Sequence, residues 1–427
     1  MLLSLAAFLF ILLIAIGSPV VFAMGLSGIA GLILGNFDLT KLPSSMLSGC
    51  EGFVLLAIPS FIFAGNLMEK CGMSYQLVDL ARSLVGWMKG GLGMTTVAAE
   101  YLFSGVSGSS VADVSAIGAM MTPPMMKGGY KPEHAVSIVA ASTGLGILVP
   151  PAIFMIVIGT MTSTSIVGIF LGGFIPALVM SAILMGVIYW QARRFNWPTD
   201  ARPSLRGFLI ALKGSLVPLF VPIVMLVGFR FGIFTATEAG GIIAFYAVVV
   251  ALIVYRNVSL KEIIKIAEES ALVSAAVTVL LGTATVYQFL LGMAQVPQAI
   301  GQMLTPLQGS PWAFLSVVVV IVIFFGMAME GLPAAVILVP VLFPTAQAMG
   351  VNSIHFCIVL TGAVGVGLFM PPVGVGLLVA LRFGNISITQ HIRHYWPYAL
   401  ALVVGLLVIV LVPELTLWLP RGAGLVR

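Results

Sequence analysis

The sequence predicts an all-α polytopic membrane protein made of two inverted repeats. Three observations carry that expectation: an extreme composition, apolar runs of bilayer-spanning length, and a match of the chain to itself at a fixed offset. A soluble domain has roughly 45–50% apolar and about 25% charged residues. This 427-residue chain has 60% and 8%, which excludes a water-soluble globule. Its 47 glycines and 24 prolines are spread through apolar stretches, as suits membrane helices that break inside a bundle. The net charge of +5 comes mostly from basic residues between the apolar runs, so nucleic acid is not an expected partner. Cys50, Cys71 and Cys357 share no metal-type spacing and could form one bridge at most.

A helical span needs about 20 mostly apolar residues. In chain order the expected spans are 2–17, 20–35, 52–69, 132–160, 164–190, 214–233, 236–255, 270–292, 353–381 and 395–419. No basic stretch precedes the first run, which is therefore expected to be retained rather than cleaved as a signal. The stretch from Tyr75 to Trp87 is amphipathic, too short and polar to span, and flanked by Lys70 and Lys89, so it is expected along the membrane interface. Two further apolar stretches, 92–126 and 313–347, are interrupted at Ser104–Ser110 and Gly326–Gly331, and each reads as a re-entrant helical hairpin. The segment 193–213 holds Arg193, Arg194, Arg202, Arg206 and Lys213. It is expected to be a cytoplasmic linker between a first repeat at 1–192 and a second at 214–427.

Sliding the chain by 221 positions aligns 103–160 with 324–381 without a gap. The matched pairs are Phe103/Phe324, Gly105/Gly326, Pro123/Pro344, Gly129/Gly350, His134/His355, Gly144/Gly365, Gly146/Gly367, Pro150/Pro371 and Pro151/Pro372. Nearly all are residues that fix backbone geometry rather than lipid solubility. Basic residues do not match: Lys70, Arg82, Lys89, Lys127 and Lys131 face uncharged partners in the second half, and Arg256, Lys261, Lys265, Arg382 and Arg393 face uncharged partners in the first. By the positive-inside rule the repeats are therefore inverted, with both termini outside; Lys41 alone dissents. Inverted repeats with discontinuous helices are the pattern of secondary transporters whose site lies near the midplane.

The candidate chemistry sits at the interruptions. Gly144-Leu-Gly-Ile-Leu-Val-Pro-Pro151 and Gly365-Val-Gly-Leu-Phe-Met-Pro-Pro372 each place a glycine pair before a proline pair. Two prolines remove two amide donors and clash with carbonyls one turn back, so the helix opens. Carbonyls freed in lipid persist only where they are buried in protein or line a cavity, and a cluster of them suits a hard cation. The tip Ser107-Gly-Ser-Ser110 offers three hydroxyls, more than capping one helix requires. With opposed hairpins, two helix N-termini would point at one place and favour an anion such as a carboxylate. Ser107, Ser109 and Ser110, with Gly146 and Gly367, are the candidate substrate contacts. Asp113 and Glu330 are carboxylates in stretches where an ionised side chain costs about 2.5–3.5 kcal/mol, and they join Pro150, Pro151, Pro371 and Pro372 as further candidates. Glu100 and Glu238 read as interfacial or capping residues, and His134 and His355 as structural. No phosphate-loop motif is present, so an ion gradient is the simplest energy source, and sites built from carbonyls favour sodium over protons.

The chain resembles the large membrane subunit of tripartite ATP-independent periplasmic (TRAP) transporters over nearly its whole length. The resemblance rests on Ser107-Gly-Ser-Ser-Val-Ala-Asp-Val-Ser-Ala-Ile-Gly118 with Gly129-Tyr130, Ile147-Leu-Val-Pro-Pro151, Thr235-Ala-Thr-Glu-Ala239 and Met370-Pro-Pro-Val-Gly374. It implies a bacterial inner-membrane sodium symporter for organic acids such as sialic acid or C4-dicarboxylates, moving a hairpin-bearing domain like an elevator against a scaffold. It implies two or more coupling sodium ions. Ser109, Gly144 and Val149 would ligate one, and Gly326, Thr361, Gly365 and Met370 another. It also implies a small membrane (Q-type) subunit and a soluble periplasmic substrate-binding protein as partners. A stand-alone sodium/anion elevator symporter is the competing expectation. No paired aspartates, HExxH or Ser/His arrangement supports an enzyme.

Overall fold

The computed structural model describes residues 2–107, 110–303, 307 and 309–426, and for 2–5, 7, 106 and 107 the backbone alone. Every regular element among them is helical. The first half comprises α1 (Leu2–Ala15), α2 (Val20–Leu34), α3 (Lys41–Cys50), a 3₁₀ turn (Phe53–Leu56) running into α4 (Ala57–Lys70), and α5 (Met73–Val85). Then come α6 (Gly91–Ser107), α7 (Ser110–Lys127), α8 (Pro132–Gly146), α9 (Ile153–Met161) and α10 (Ile166–Phe195). The second half has α11 (Leu205–Arg230), α12 (Ala236–Val249) with a π-helical turn (Val250–Tyr255), α13 (Leu260–Met293), α14 (Val296–Met303), α15 (Pro311–Ala328), α16 (Gly331–Ala348), α17 (Ser353–Leu368), α18 (Val375–Gly384), α19 (Ile388–Leu411) and α20 (Glu414–Gly422).

Among the described residues eight helices are long and apolar enough to cross a bilayer. The expected spans differ from these in an instructive way. The runs 132–160 and 353–381 are each divided into two helices by their proline pairs, while α1 and α2 have only 14 and 15 residues. In contrast α15 and α16, the arms of the second expected hairpin, are each long and apolar enough by themselves. The linker expected at 193–213 is shorter than its polar composition suggests. Helix α10 runs through Arg193 and Arg194 to Asn196, whose left-handed backbone (φ 52°) ends it, and Ser204 caps α11 by accepting from the Gly207 amide. Only 196–204 lie between helices.

The offset of 221 reappears in the helix boundaries. Helices α7 and α16 start at Ser110 and Gly331 and stop at Lys127 and Ala348; α8 and α17 start at Pro132 and Ser353. The two histidines behave alike as well. His134 packs its ring 4.9 Å from that of Phe195, and His355 Nδ1 lies 2.9 Å from Thr416 Oγ1, with Phe195 and Thr416 again 221 positions apart.

Local rules account for most helix starts. Thr235 with Glu238, Ser259 with Glu262, and Ser387 with Gln390 form capping boxes at α12, α13 and α19, each satisfying free amides at both ends of the box. Helix α5 is amphipathic as its sequence suggests: Met73, Leu77, Leu80 and Ala81 are buried on one face. On its polar side Arg82 makes a two-pronged ion pair with Asp200 (2.6 and 3.0 Å), and that hydrogen bond raises the guanidinium pKa further.

Two groups of helices pack together. In one, α4 lies against α12 and α13, and α13 against α2 and α3; in the other, α8 and α17 form the middle, with α6, α7 and α19 on α8 and with α15 and α16 on α17. The middle is dense because it is built from small residues. A Cβ at Gly144 would sit 3.1 Å from the Gly365 carbonyl oxygen, and one at Gly365 would collide with the Gly144 carbonyl. The two broken helices therefore cross backbone to backbone at the matched glycines, a separation only glycine permits.

Candidate functional site

Both broken helices open where their prolines require. Helix α8 stops at Gly146 and α9 begins at Ile153; α17 stops at Leu368 and α18 begins at Val375. The last turns tighten identically: the Leu148 and Val149 amides donate to the Leu145 and Gly146 carbonyls, and the Phe369 and Met370 amides to those of Val366 and Gly367. The Pro150-Pro151 and Pro371-Pro372 peptide bonds are both cis. Exposure, however, differs between the halves. Pro150 and Pro151 are buried, whereas Pro371 is half-buried and Pro372 exposed.

Each break is crossed by a neighbouring helix. A Cβ at Gly105 on α6 would lie 3.2 Å from the Pro150 oxygen and 3.3 Å from a Val149 methyl. Its repeat partner Gly326 on α15 faces the Cα of Gly367 and the Val364 oxygen, both at 3.3 Å. Gly326 and Gly367 thus meet where α15 crosses α17, whereas Gly365 faces Gly144 where α8 crosses it; Thr361 lies one turn before Gly365 and Met370 just after the helix end. The Thr361 hydroxyl is fully buried and donates to the Cys357 carbonyl (2.7 Å), which leaves its lone pairs for another donor or a cation. In the first half Gly144, Gly146 and Val149 are buried together at the break. Ser109 lies outside the described residues, as does the side chain of Ser107.

The two turns meet at one small cavity of about 70 Å³. Ser110 and Val111 enter from the first turn, Glu330 to Leu332 from the second, Ile147 and Leu368 from the breaks, and Ile153 and Phe154 from the start of α9. The N-termini of α7, α9 and α16 therefore converge on it, and a helix N-terminus carries partial positive charge. Glu330 is the residue before α16, exposed, and its side chain makes no capping hydrogen bond. Larger cavities, of about 250 to 670 Å³, lie away from the turns.

One carboxylate was underrated by sequence reasoning. Glu100 on α6 is fully buried, in hydrogen-bonding reach of the Asp113 carboxyl, and its Oε1 and the Ser104 hydroxyl rest where a Cβ of Gly146 would be. Ser104 donates to Asp113 Oδ2 at 2.7 Å. The available signal was the i,i+4 spacing of Glu100 and Ser104, which puts both on the face that crosses Gly146. Glu238, in contrast, is the capping residue its position suggests, and His134 is packed among Phe195, Trp197 and His394. No group of three or more metal-type side chains occurs among the described residues.

Apolar helices of spanning length, two broken helices crossing at glycines, and paired turns over one cavity define a polytopic membrane protein of the transporter class. The match to the family description "Tripartite ATP-independent periplasmic transporter, DctM component" covers residues 7–415. The chain belongs to that family: it is a TRAP transporter large permease, not an enzyme. It is 35% identical to the C4-dicarboxylate TRAP transporter large permease protein DctM of Pseudomonas aeruginosa, covering 94% of this chain and 95% of that one. It is 34% identical to the 2,3-diketo-L-gulonate TRAP transporter large permease protein YiaN of Escherichia coli, with the same coverage. The fold also resembles the crystal structure of the Alcanivorax borkumensis YdaH transporter, with a TM-score of 0.63 and 16% identity over 91% of this chain and 89% of that one.

Proposed function

We propose that this permease imports a small organic acid anion, of C4-dicarboxylate or sialic acid type, by sodium symport with an elevator movement. The observation that carries the reading is the convergence of both turns, both breaks and three helix N-termini on one cavity. Aligned N-terminal amides are suited to a carboxylate, and Ser110, with Ser107 and Ser109 of the same turn, supplies hydroxyls to it. Gly146 and Gly367 keep the backbone close to that place. The relatives named for diketogulonate and C4-dicarboxylates support an organic acid.

Sodium is a hard cation that takes oxygen ligands, and unwound carbonyls in broken helices are where transporters hold it. One ion is assigned to the first break, with Ser109, Gly144 and Val149. A second is assigned to Gly326, Thr361, Gly365 and Met370 along α17 and its neighbour α15, where Thr361 has a buried hydroxyl with lone pairs to spare. Bound there, sodium would supply positive charge beside the anion and link its own gradient to substrate entry. Asp113 and Glu330 add negative charge near the same region and are assigned to cation attraction rather than to contact with substrate. The four prolines keep both helices open.

A cavity of about 70 Å³ holds an ion with water but not an organic acid, so loading requires the turns to part. The buried first break and partly exposed second break are what one state of an alternating cycle between inverted halves would present. We assign 1–192 and 214–427 as those inverted halves, with 92–126 and 313–347 as their re-entrant hairpins, the intervening segment cytoplasmic and both termini periplasmic in a bacterial inner membrane. A tripartite system requires two further components, which we take to be a small Q-type membrane subunit and a soluble periplasmic binding protein.

Reconstitution of the chain with its small subunit in liposomes tests this, by following labelled succinate and sialate under an inward sodium gradient with and without the binding protein. Uptake that needs both sodium and the binding protein is expected. Uptake without the binding protein would replace this reading by a stand-alone symporter, and flux indifferent to the gradient would replace it by a channel.

A further inference from the structure

The largest of the described cavities, about 670 Å³, lies far from the turns, between the start of α6 and the end of α10. Its apolar lining is Met88, Met94, Ala182 and Met185, of which Met94 is buried and Ala182 exposed, with the exposed Gly186, where an added Cβ would meet nothing within 4 Å. Its rim is cationic, with Lys89 just before α6 and Arg202 in the segment after α10. The only carboxylate in that segment, Asp200, is already held by Arg82 through two hydrogen bonds. Neither Lys89 nor Arg202 has an ion pair among the described residues. Instead the Arg202 guanidinium lies 4.8 Å over the Trp87 ring, and Tyr189 completes the rim.

The height of these groups matters. Helix α10 is a bilayer-spanning helix that ends at Phe195, and Tyr189, Lys89 and Arg202 all sit at that end. Tryptophan and tyrosine at the end of a span mark the headgroup level, and basic pockets between membrane helices at that level take lipid phosphates. The volume falls within the roughly 300–1,000 Å³ of ligand pockets.

We propose that this cavity binds one anionic phospholipid of the surrounding bilayer, its phosphate between Lys89 and Arg202 and an acyl chain over Met94, Met185 and Gly186. The anion answers two cations without ion pairs among the described residues, and the apolar residues beside them favour a phosphate that carries acyl chains. The proposal is independent of sodium coupling, since it uses none of the residues at the breaks.

Native mass spectrometry of the purified full-length chain, exchanged into micelles containing phosphatidylglycerol or phosphatidylcholine, tests it. Wild type is expected to retain one phosphatidylglycerol in preference to phosphatidylcholine. The double variant K89Q/R202Q is expected to lower phosphatidylglycerol affinity about 30-fold, from the loss of two cations at the headgroup level. G186L fills space among the apolar lining residues without touching the charges and is expected to reduce retention of both lipids; it carries the test if the double variant does not fold. K261Q/K265Q removes two exposed cations elsewhere and is expected to change nothing. Equal retention of the two lipids by wild type, or unchanged retention in K89Q/R202Q and G186L, would overturn the proposal. So would an equal loss in K261Q/K265Q, which would assign the effect to general surface charge.

Discussion

Ser104, Asp113 and Glu100 show how much a single buried polar contact sets in this molecule. The Ser104 hydroxyl is the donor seen on Asp113 Oδ2, and a hydrogen bond to a buried carboxyl contributes about 1–3 kcal/mol. S104A is therefore expected to lower unfolding stability in detergent by that amount; a loss under about 0.5 kcal/mol would mean that the hydroxyl is dispensable to the acidic pair. The glycine crossing gives a comparison at the same scale. At Gly365 an added Cβ would strike the backbone oxygen of Gly144, whereas at Gly144 it would meet the Gly365 oxygen at 3.1 Å. Both helices are fully buried there and cannot retreat. G365A is expected to destabilise by about 1–3 kcal/mol, typical of overpacking, and more than G144A does. Paired melting curves check the order, and equal shifts would contradict the tighter approach at Gly365.

Helix ends are decided by short-range chemistry, yet the expected starts at 214, 270 and 395 fall inside α11, α13 and α19, because reading apolar runs alone passes over polar first turns capped by Ser204, Ser259 and Ser387. The Thr235/Glu238 box closes the first turn of α12 on its own amides, so T235A is expected to cost about 0.5–2 kcal/mol. Denaturant unfolding monitored on that variant and on T237A, whose side chain has no capping role, should separate the two. The proline pairs act at the same scale but toward function. Replacing Pro371 and Pro372 by alanine returns two amide donors to the chain and lets α17 continue toward α18. On the proposed function, sodium-driven uptake is expected to be lost while insertion and expression persist. Retained coupling would remove the second break from the ion site. Turn length was less legible. The stretches Ser104–Ser110 and Gly326–Gly331 look like long interruptions because glycine and serine are poor helix formers, yet α6 and α15 run through Gly105 and Gly326. Packing against Val149, Pro150 and Gly367 compensates the glycine propensity, which costs only about 1 kcal/mol.

For the molecule as a whole, the question is whether the group around α8 and α17 moves against the group around α4, α12 and α13. Gly52 offers a fastener between them, because a Cβ there would lie 3.6 Å from the Thr160 methyl at the end of α9. A G52C/T160C pair, made with Cys50 replaced by serine, is expected to bridge on oxidation and to arrest uptake until reduced. Burial pushes the Cys71 thiol up to about 11, so it stays protonated at neutral pH and does not compete for the bridge. Full uptake by the bridged protein would exclude an elevator movement between these groups. By itself, the sequence determined the membrane class, the repeat offset and the two breaks, because composition and proline chemistry act over a few residues. Only the tertiary structure decided that Gly144 meets Gly365, that both turns share one cavity, and that Glu100 lies against Asp113. The first two join segments far apart in the chain and the third joins the facing sides of consecutive helices, and an apolar helix with glycines on several faces does not specify which face meets which neighbour until the whole bundle is packed.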